Sequence, residues 1–250
     1  MDKKHPLFKQ ICREIIEEAK KSNITDKHKL NTVKLSIVRK NNATSIPTNI
    51  DLAEYATDAE RKQFKDILSI KPIRVLSGVN VVALMTAPFG CPHGKCIYCP
   101  GGVNSVFGDT PQSYTGTEPS ARRGKRNNYD PYLIVFNRLE QYLCMNRIPD
   151  KVEMIIMGGT FPSYPLKYRN EFIGYAFKAM NDFSDMFFED NEVMYDKFLA
   201  FFELPDDIGK PERTGRIMEK VLVLKHDKPL DLPYELKRNE TAKIRNVGLT

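Results

Sequence analysis

From Leu7 to Ala19 the apolar positions Leu7, Phe8, Ile11, Cys12, Ile15, Ile16 and Ala19 recur at i, i+3, i+4 spacing, which predicts an amphipathic helix. Its opposite face carries Lys9, Arg13, Glu17, Glu18 and Lys20. A weaker period through Leu30, Val33, Ile37 and Val38 predicts a second helix. After a break from Asn41 to Pro47, Thr57 and Glu60 stand at capping-box spacing and open a third, through Phe64, Ile67 and Leu68. Residues 1–71 thus read as a small all-helical domain.

At Pro72 the pattern changes. Val79 to Met85 is a short, almost wholly apolar, β-branched run, predicting a strand buried on both faces. Val152 to Met157 is another, ending in Gly158-Gly159. Between them Asp130-Pro131 opens a helical period through Leu133, Phe136, Leu139, Tyr142 and Leu143. Strand, long loop, helix and strand make a βαβ unit, so residues 72–250 are expected to be α/β with parallel strands. Helical spacing recurs from Phe172 to Met180 and from Val193 to Phe202, and Ile244 to Leu249 predicts a third strand at which the chain stops.

Composition narrows the class. At 41% hydrophobic and 28% charged, these 250 residues are those of a globular chain with no apolar run near the ~20 residues of a membrane span. No secretory or transit signal opens the chain, so a cytoplasmic, reducing location is expected. The net charge of +6 lies wholly in the first third: residues 1–74 hold 16 Lys+Arg against 10 Asp+Glu, and the remainder balances. The first 40 residues alone hold 11 against 5, so the helical front end is basic.

Five cysteines, three of them within nine residues, suit a metal centre better than a disulfide framework. Cys91, Cys96 and Cys99 follow C-x4-C-x2-C spacing in a Gly- and Pro-rich loop after the first strand. Zinc would want a fourth ligand, which His93 could supply. A cubane iron–sulfur cluster held by three cysteines leaves one iron open. The loop follows the carboxyl end of a parallel strand, where such folds place cofactors. Cys12, on an apolar stripe, and Cys144, in the helix after the loop, read as packing thiols.

The loop resembles that of radical S-adenosylmethionine enzymes, with one residue more in its first gap than their common C-x3-C-x2-C. That departure, with Ala87-Pro88-Phe89-Gly90 before Cys91, Ser113-Tyr114-Thr115-Gly116, Glu118-Pro119, Tyr129-Asp130-Pro131-Tyr132, Lys151-Val152-Glu153, Gly158-Gly159-Thr160-Phe161 and the final Val247-Gly248-Leu249-Thr250, is similar to the family of Elongator catalytic subunits. The similarity covers residues 72–181 and the last ten; 182–240 carry no matching motif.

The resemblance implies a radical S-adenosylmethionine (β/α) barrel, incomplete here, behind the basic helical domain. Its second half and an acetyltransferase-like domain are then expected to lie outside these 250 residues, leaving them unable to complete the reaction alone. It implies a tRNA-modifying enzyme that forms 5-carboxymethyluridine at the wobble position from acetyl-CoA through a 5′-deoxyadenosyl radical. Cys91, Cys96 and Cys99 would ligate a 4Fe–4S cluster, Tyr98 would face the adenine of S-adenosylmethionine, and Gly158 and Gly159 its methionine amino group. Lys151 would contact acetyl-CoA, although a core tyrosine and a surface lysine would look the same as Tyr98 and Lys151. The tRNA anticodon stem-loop would meet Lys3, Lys4, Lys9 and Arg13, and a basic loop of Arg122, Arg123, Lys125 and Arg126. A homodimer or Elongator-type subunits are the expected protein partners, with no membrane. The competing reading is a zinc-stabilised RNA-binding module without catalysis, using Cys91, His93, Cys96 and Cys99. A protein acetyltransferase is a third, but the region that would do this is not in the chain.

Overall fold

The computed structural model describes residues 3–69 and 77–250. The expected boundary between 71 and 72 lies outside them. In chain order the elements are α1 (Pro6–Lys21), α2 (Lys27–Lys40), α3 (Asn49–Tyr55), α4 (Asp58–Gln63), α5 (Lys65–Leu68), β1 (Val79–Met85), α6 (Pro119–Arg126), α7 (Pro131–Cys144), β2 (Lys151–Met157), α8 (Leu166–Phe187), the short pair β3 (Phe188–Glu189) and β4 (Glu192–Val193), α9 (Tyr195–Phe201), α10 (Pro211–Asp227), α11 (Leu232–Asn239) and β5 (Arg245–Leu249). No helix among the described residues is long and apolar enough to cross a membrane.

Two compact units form. Among the described residues the first joins 3–69 to 140–148 and 194–217. Helix α1 starts where Pro6 fixes the first turn and the His5 ring accepts the Leu7 N–H at 3.2 Å. Its stripe of Phe8, Ile11, Cys12, Ile15, Ile16 and Ala19 is buried as the spacing predicts. It packs with Leu30, Ile37 and Val38 of α2 and with Leu52, Phe64, Ile67 and Leu68. The Thr57–Glu60 capping box is present and opens α4. The single helix expected there is two, because the chain turns at Phe64 and restarts as α5. A second box, Thr48 with Asp51, opens α3, which the apolar spacing does not reveal.

The later segments of this unit add a buried ion pair. Arg213 Nη2 lies 2.6 Å from Glu140 Oε1, with both side chains almost wholly enclosed, and Arg213 Nε donates to the Phe202 carbonyl at 2.9 Å. The Arg61 guanidinium lies over the Tyr195 ring, 4.2 Å from its centroid.

The second unit holds residues 77–139, 149–193 and 218–250 and is α/β. Its sheet has the order β1-β2-β5, all parallel, with Val79 opposite Lys151 and Met85 opposite Met157. The expected βαβ unit is present. Neither long strand is buried on both faces, however. Asn80, Val82, Leu84, Val152 and Met154 are buried, whereas Val81 is 40% exposed and Val79, Ala83 and Ile155 are half-buried, so only one face is fully covered. Helix α8 runs well past the expected 172–180, and it is tied to α11 by Asn181, whose side chain donates to the Glu235 carboxylate at 2.7 Å. Ser184 Oγ accepts the Ile244 N–H at 3.0 Å, fixing the entry to β5.

Candidate functional site

The three clustered cysteines stand in the loop that leaves the carboxyl end of β1, and the glycine turn that ends β2 lies beside them. Thr86 N donates to the Met157 carbonyl at 2.9 Å, continuing the strand pairing to the start of the loop. Gly158 and Gly159 have φ of 119° and 69°, where a side chain is strained. A Cβ on Gly158 would stand 2.4 Å from Thr86 Oγ1, and one on Gly159 would stand 3.0 Å from Tyr164 Oη and 3.6 Å from Cys91 Sγ. Two hydroxyls pin the turn: Tyr164 donates to the Gly158 carbonyl, and Thr86 donates to it at 3.2 Å. Burial pushes the Tyr164 phenol above its ordinary range, so it remains a donor. Phe89, two residues before Cys91, packs on Tyr164 and Tyr168 with ring centroids 4.4 and 4.9 Å away. Tyr168 Oη in turn accepts the Ala87 N–H at 3.0 Å, which fastens the loop's root.

Within the loop, Gly101 runs so close to Tyr114 that a Cβ would lie 1.7 Å from its carbonyl oxygen. Thr110 Oγ1 joins these stretches of the loop, donating to the Tyr114 carbonyl at 2.6 Å and accepting the Gly102 N–H at 2.8 Å. Glu118 accepts from the Thr115 and Gly116 N–H groups at 3.0 and 3.1 Å. Those hydrogen bonds, from Thr115 first, hold its carboxyl below the usual range. Gln112 donates to Cys99 Sγ at 3.1 Å. Neither Gln112 nor Tyr164 stands out in the sequence, since a partner thirteen or six residues away leaves no periodic trace.

All five cysteines are free; Cys12 and Cys144 are buried, as packing thiols should be, and Cys91 and Cys99 are half-buried with Cys96 exposed. Burial raises the Cys12 thiol to about 12. Cys91 lies against Gly159, and Cys99 reaches the same turn through Gln112, whose Cβ would be 3.1 Å from one added at Gly159. Cys96 stands apart, its sulfur 3.1 Å from His93 Nε2. Among the described residues no three His, Cys, Asp or Glu side chains converge as they stand on a point where an ion would sit. In donor chemistry the set nevertheless fits an iron–sulfur cluster: three free thiols on one short loop, the first of them against a turn without side chains. Tyr98 is not a core residue; it stands 95% exposed, next to Ile97 at 97%.

Other sequence candidates separate from this cluster. Lys151 begins β2 and Gly158 follows its end, which places them at opposite ends of the sheet, roughly 20 Å apart along the strand. Lys151 there lines a cleft with Phe177, Leu236, Asn239, Arg245 and Val247. Arg122, Arg123, Lys125 and Arg126 form no loop but the later part of α6, with Arg122, Lys125 and Arg126 exposed. Gly124 seats that helix on β1, since a Cβ there would stand 2.7 Å from Met85 Cβ. Of the front-end cations, Lys3 pairs with Asp51 at 2.6 Å, Lys4 with Asp206 at 2.8 Å and Arg13 with Glu60 at 2.7 Å, and Lys9 is exposed.

The protein is α/β, with free thiols in the loop after β1 and a glycine turn after β2, at the end of a parallel sheet where such folds commonly place ligands. Comparison with known proteins gives the family. The ELP3 N-terminal domain matches residues 8–76. A tRNA uridine(34) acetyltransferase of Methanocaldococcus jannaschii is 46% identical over 182 residues, 72% of this chain and 34% of that protein. Elongator complex protein 3 of Homo sapiens is 39% identical over 168 residues, 65% of this chain and 30% of that one. A solved structure, the archaeal Methanocaldococcus infernus Elp3 with N-terminus deletion (1-46), covers 69% of this chain and 22% of its own at 26% identity. Its TM-score of 0.35 is too low to bear on the fold. The chain spans about a third of the length of the curated relatives it matches, and over that stretch it belongs to the Elp3 family.

Proposed function

We propose that this chain carries the cofactor site of a tRNA-modifying enzyme acting on wobble uridine 34, with Cys91, Cys96 and Cys99 holding a 4Fe–4S cluster beside S-adenosylmethionine. The observation that carries this reading is the loop of three free thiols after β1, with Cys91 against the Gly158–Gly159 turn at the sheet's carboxyl end. Bound there, the cluster and S-adenosylmethionine would supply one-electron radical chemistry. The chain's own residues have simpler tasks. Gly158 and Gly159 would present backbone to the methionine amino group from a turn held by Tyr164 and Thr86, whose side chains pack where Cβ atoms would stand. Tyr98 offers an open aromatic face to the adenine. Arg122, Lys125 and Arg126 of α6 meet the phosphates of the anticodon loop, whose unstacked base must be presented for modification.

In this reading the sheet is part of a radical S-adenosylmethionine barrel, acetyl-CoA is the carbon source, and the product is 5-carboxymethyluridine; Lys151, at the other end of β2, is not placed to hold the acetyl group at the cluster. The names of the relatives, tRNA uridine(34) acetyltransferase and Elongator complex protein 3, support the tRNA substrate and assembly with further subunits. One observation favours the second reading: His93 Nε2 is within hydrogen-bond reach of Cys96 Sγ at 3.1 Å, so two of the side chains a zinc site would use are already neighbours. Anaerobic reconstitution with iron and sulfide decides. About four irons per chain with matching labile sulfide is expected, abolished by Ala at Cys91, Cys96 or Cys99 but not at Cys12 or Cys144. Stoichiometric zinc without sulfide, lost also in His93→Ala, selects the zinc module instead.

A further inference from the structure

Cys99 differs from the other two loop thiols in what surrounds its sulfur. The Gln112 amide donates to Cys99 Sγ at 3.1 Å, and the Ser113 backbone N–H donates to it at 3.2 Å. Ser113 presents that N–H from a backbone φ of 72°, a conformation uncommon for a residue with a side chain. Gln112 is 6% exposed, and its side chain lies so close over Gly102 that a Cβ there would stand 2.3 Å from its Oε1. The loop is therefore folded around this amide. The Gly101 carbonyl, 2.9 Å from Cys99 Sγ, accepts the proton of the free thiol. A metal-bound sulfur has no such proton, and the two N–H donors still face it, with the Ser113 hydroxyl farther off at 3.8 Å. Among the described residues, Cys91 Sγ has the Thr160 hydroxyl at 3.7 Å, and Cys96 Sγ the His93 ring on an exposed stretch.

Resting on the cluster reading above, we propose that Gln112, with the Ser113 N–H, raises the reduction potential of the cluster by acting through Cys99. Reduction adds one negative charge to a centre whose ligands are already anionic. Donors aimed at a ligating sulfur stabilise the reduced form more than the oxidised one, and hydrogen bonds to sulfur are among the known determinants of such potentials. No bond to Gln112 forms or breaks; it is a positioning residue that acts through Cys99.

The test is an anaerobic redox titration of the reconstituted full chain with dithionite, followed by electron paramagnetic resonance. Wild type is compared with Gln112→Met, of similar length without a donor, and Gln112→Glu, of the same shape with an acceptor facing the sulfur. Iron and sulfide content should stay at the wild-type level. Reduction should become about tenfold less favourable in Gln112→Met, about 59 mV for one electron, and less favourable still in Gln112→Glu. Unchanged midpoints in both variants, with clusters intact, overturn the proposal and leave the cluster reading standing. Loss of the cluster from both variants while wild type retains it also overturns it, since Gln112 is then a packing residue. A wild-type chain that takes up zinc and no sulfide removes the cluster reading and this proposal with it.

Discussion

Glu60 and Glu54 are both buried carboxyls of the first unit, and their neighbours send them in opposite directions. Burial acts to raise Glu60, but hydrogen bonds from Arg13, the Thr57 N–H and Lys20 outweigh it and bring the carboxyl to about 2. Glu54 has burial and the nearby Asp51 charge against it, with Lys3 at 3.5 Å as its ion-pair partner, and is pushed up to about 7. The consequences for stability have opposite signs. Glu60 stabilises the fold above pH 4.5, where the unfolded chain is ionised, and that contribution is lost as pH falls towards 2. Glu54 holds its proton in the folded chain after the unfolded chain has released it, so stability falls as pH rises from 4.5 to about 7. Urea midpoints measured from pH 3 to 8 should show Glu54→Gln flattening the neutral-side decline and Glu60→Gln weakening the acid-side loss; unchanged slopes in both variants refute the assignment. The Thr57–Glu60 box is readable in four residues of sequence. The Arg13 pairing is not, because it joins residues 47 positions apart.

Helix α6 shows why some elements escape a reading of periodicity. Its residues, Pro-Ser-Ala-Arg-Arg-Gly-Lys-Arg, have no apolar stripe, and a mid-element glycine argues for a loop. Tertiary packing decides instead: Gly124 lets the backbone approach Met85, and the Asn127 N–H closes the last turn by donating to the Arg123 and Gly124 carbonyls, each at 3.1 Å. Strands β1 and β2 and helix α7 are legible because each is a dense apolar run or a clear 3.6-residue period. Helices α10 and α11 are rich in charge and are not. Gly124→Ala tests the packing. The helix-propensity gain is at most about 1 kcal/mol, whereas pressing a methyl 2.7 Å from Met85 Cβ is overpacking, which costs about 1–3 kcal/mol. A net loss of stability in urea denaturation is expected; equal or greater stability would show that Met85 yields freely.

At the scale of the whole chain, the excess charge at the front end is legible in the sequence, but its use is not. Three of the four front-end cations expected to meet RNA are engaged in ion pairs within their own unit, whereas Arg122, Lys125 and Arg126 on α6 are exposed. Replacing the α6 set with Ala should weaken tRNA binding and flatten its salt dependence by roughly 0.7 to 0.9 log units per log unit of salt for each phosphate no longer neutralised. Replacing Lys3, Lys4 and Arg13 should instead lower thermal stability and leave that slope near wild type. Filter binding across a salt series separates the two, and the opposite ranking would return the RNA surface to the front end. The corner of three thiols and two glycines is readable because its residue types are rare and crowded together; its supports, Tyr164, Thr86 and Gln112, are ordinary residues placed by the fold. The first unit, finally, is assembled from stretches far apart in the chain: Arg213 closes on Glu140, and Tyr195 lies under Arg61. Helix α1 therefore leaves the ribosome well before its unit can be finished. Its apolar stripe is covered by residues up to 68, but the buried ion pair of the unit cannot close until Arg213 has emerged. The front-end helices can pack on one another early in synthesis, and the Arg213–Glu140 pair that completes their unit closes only late.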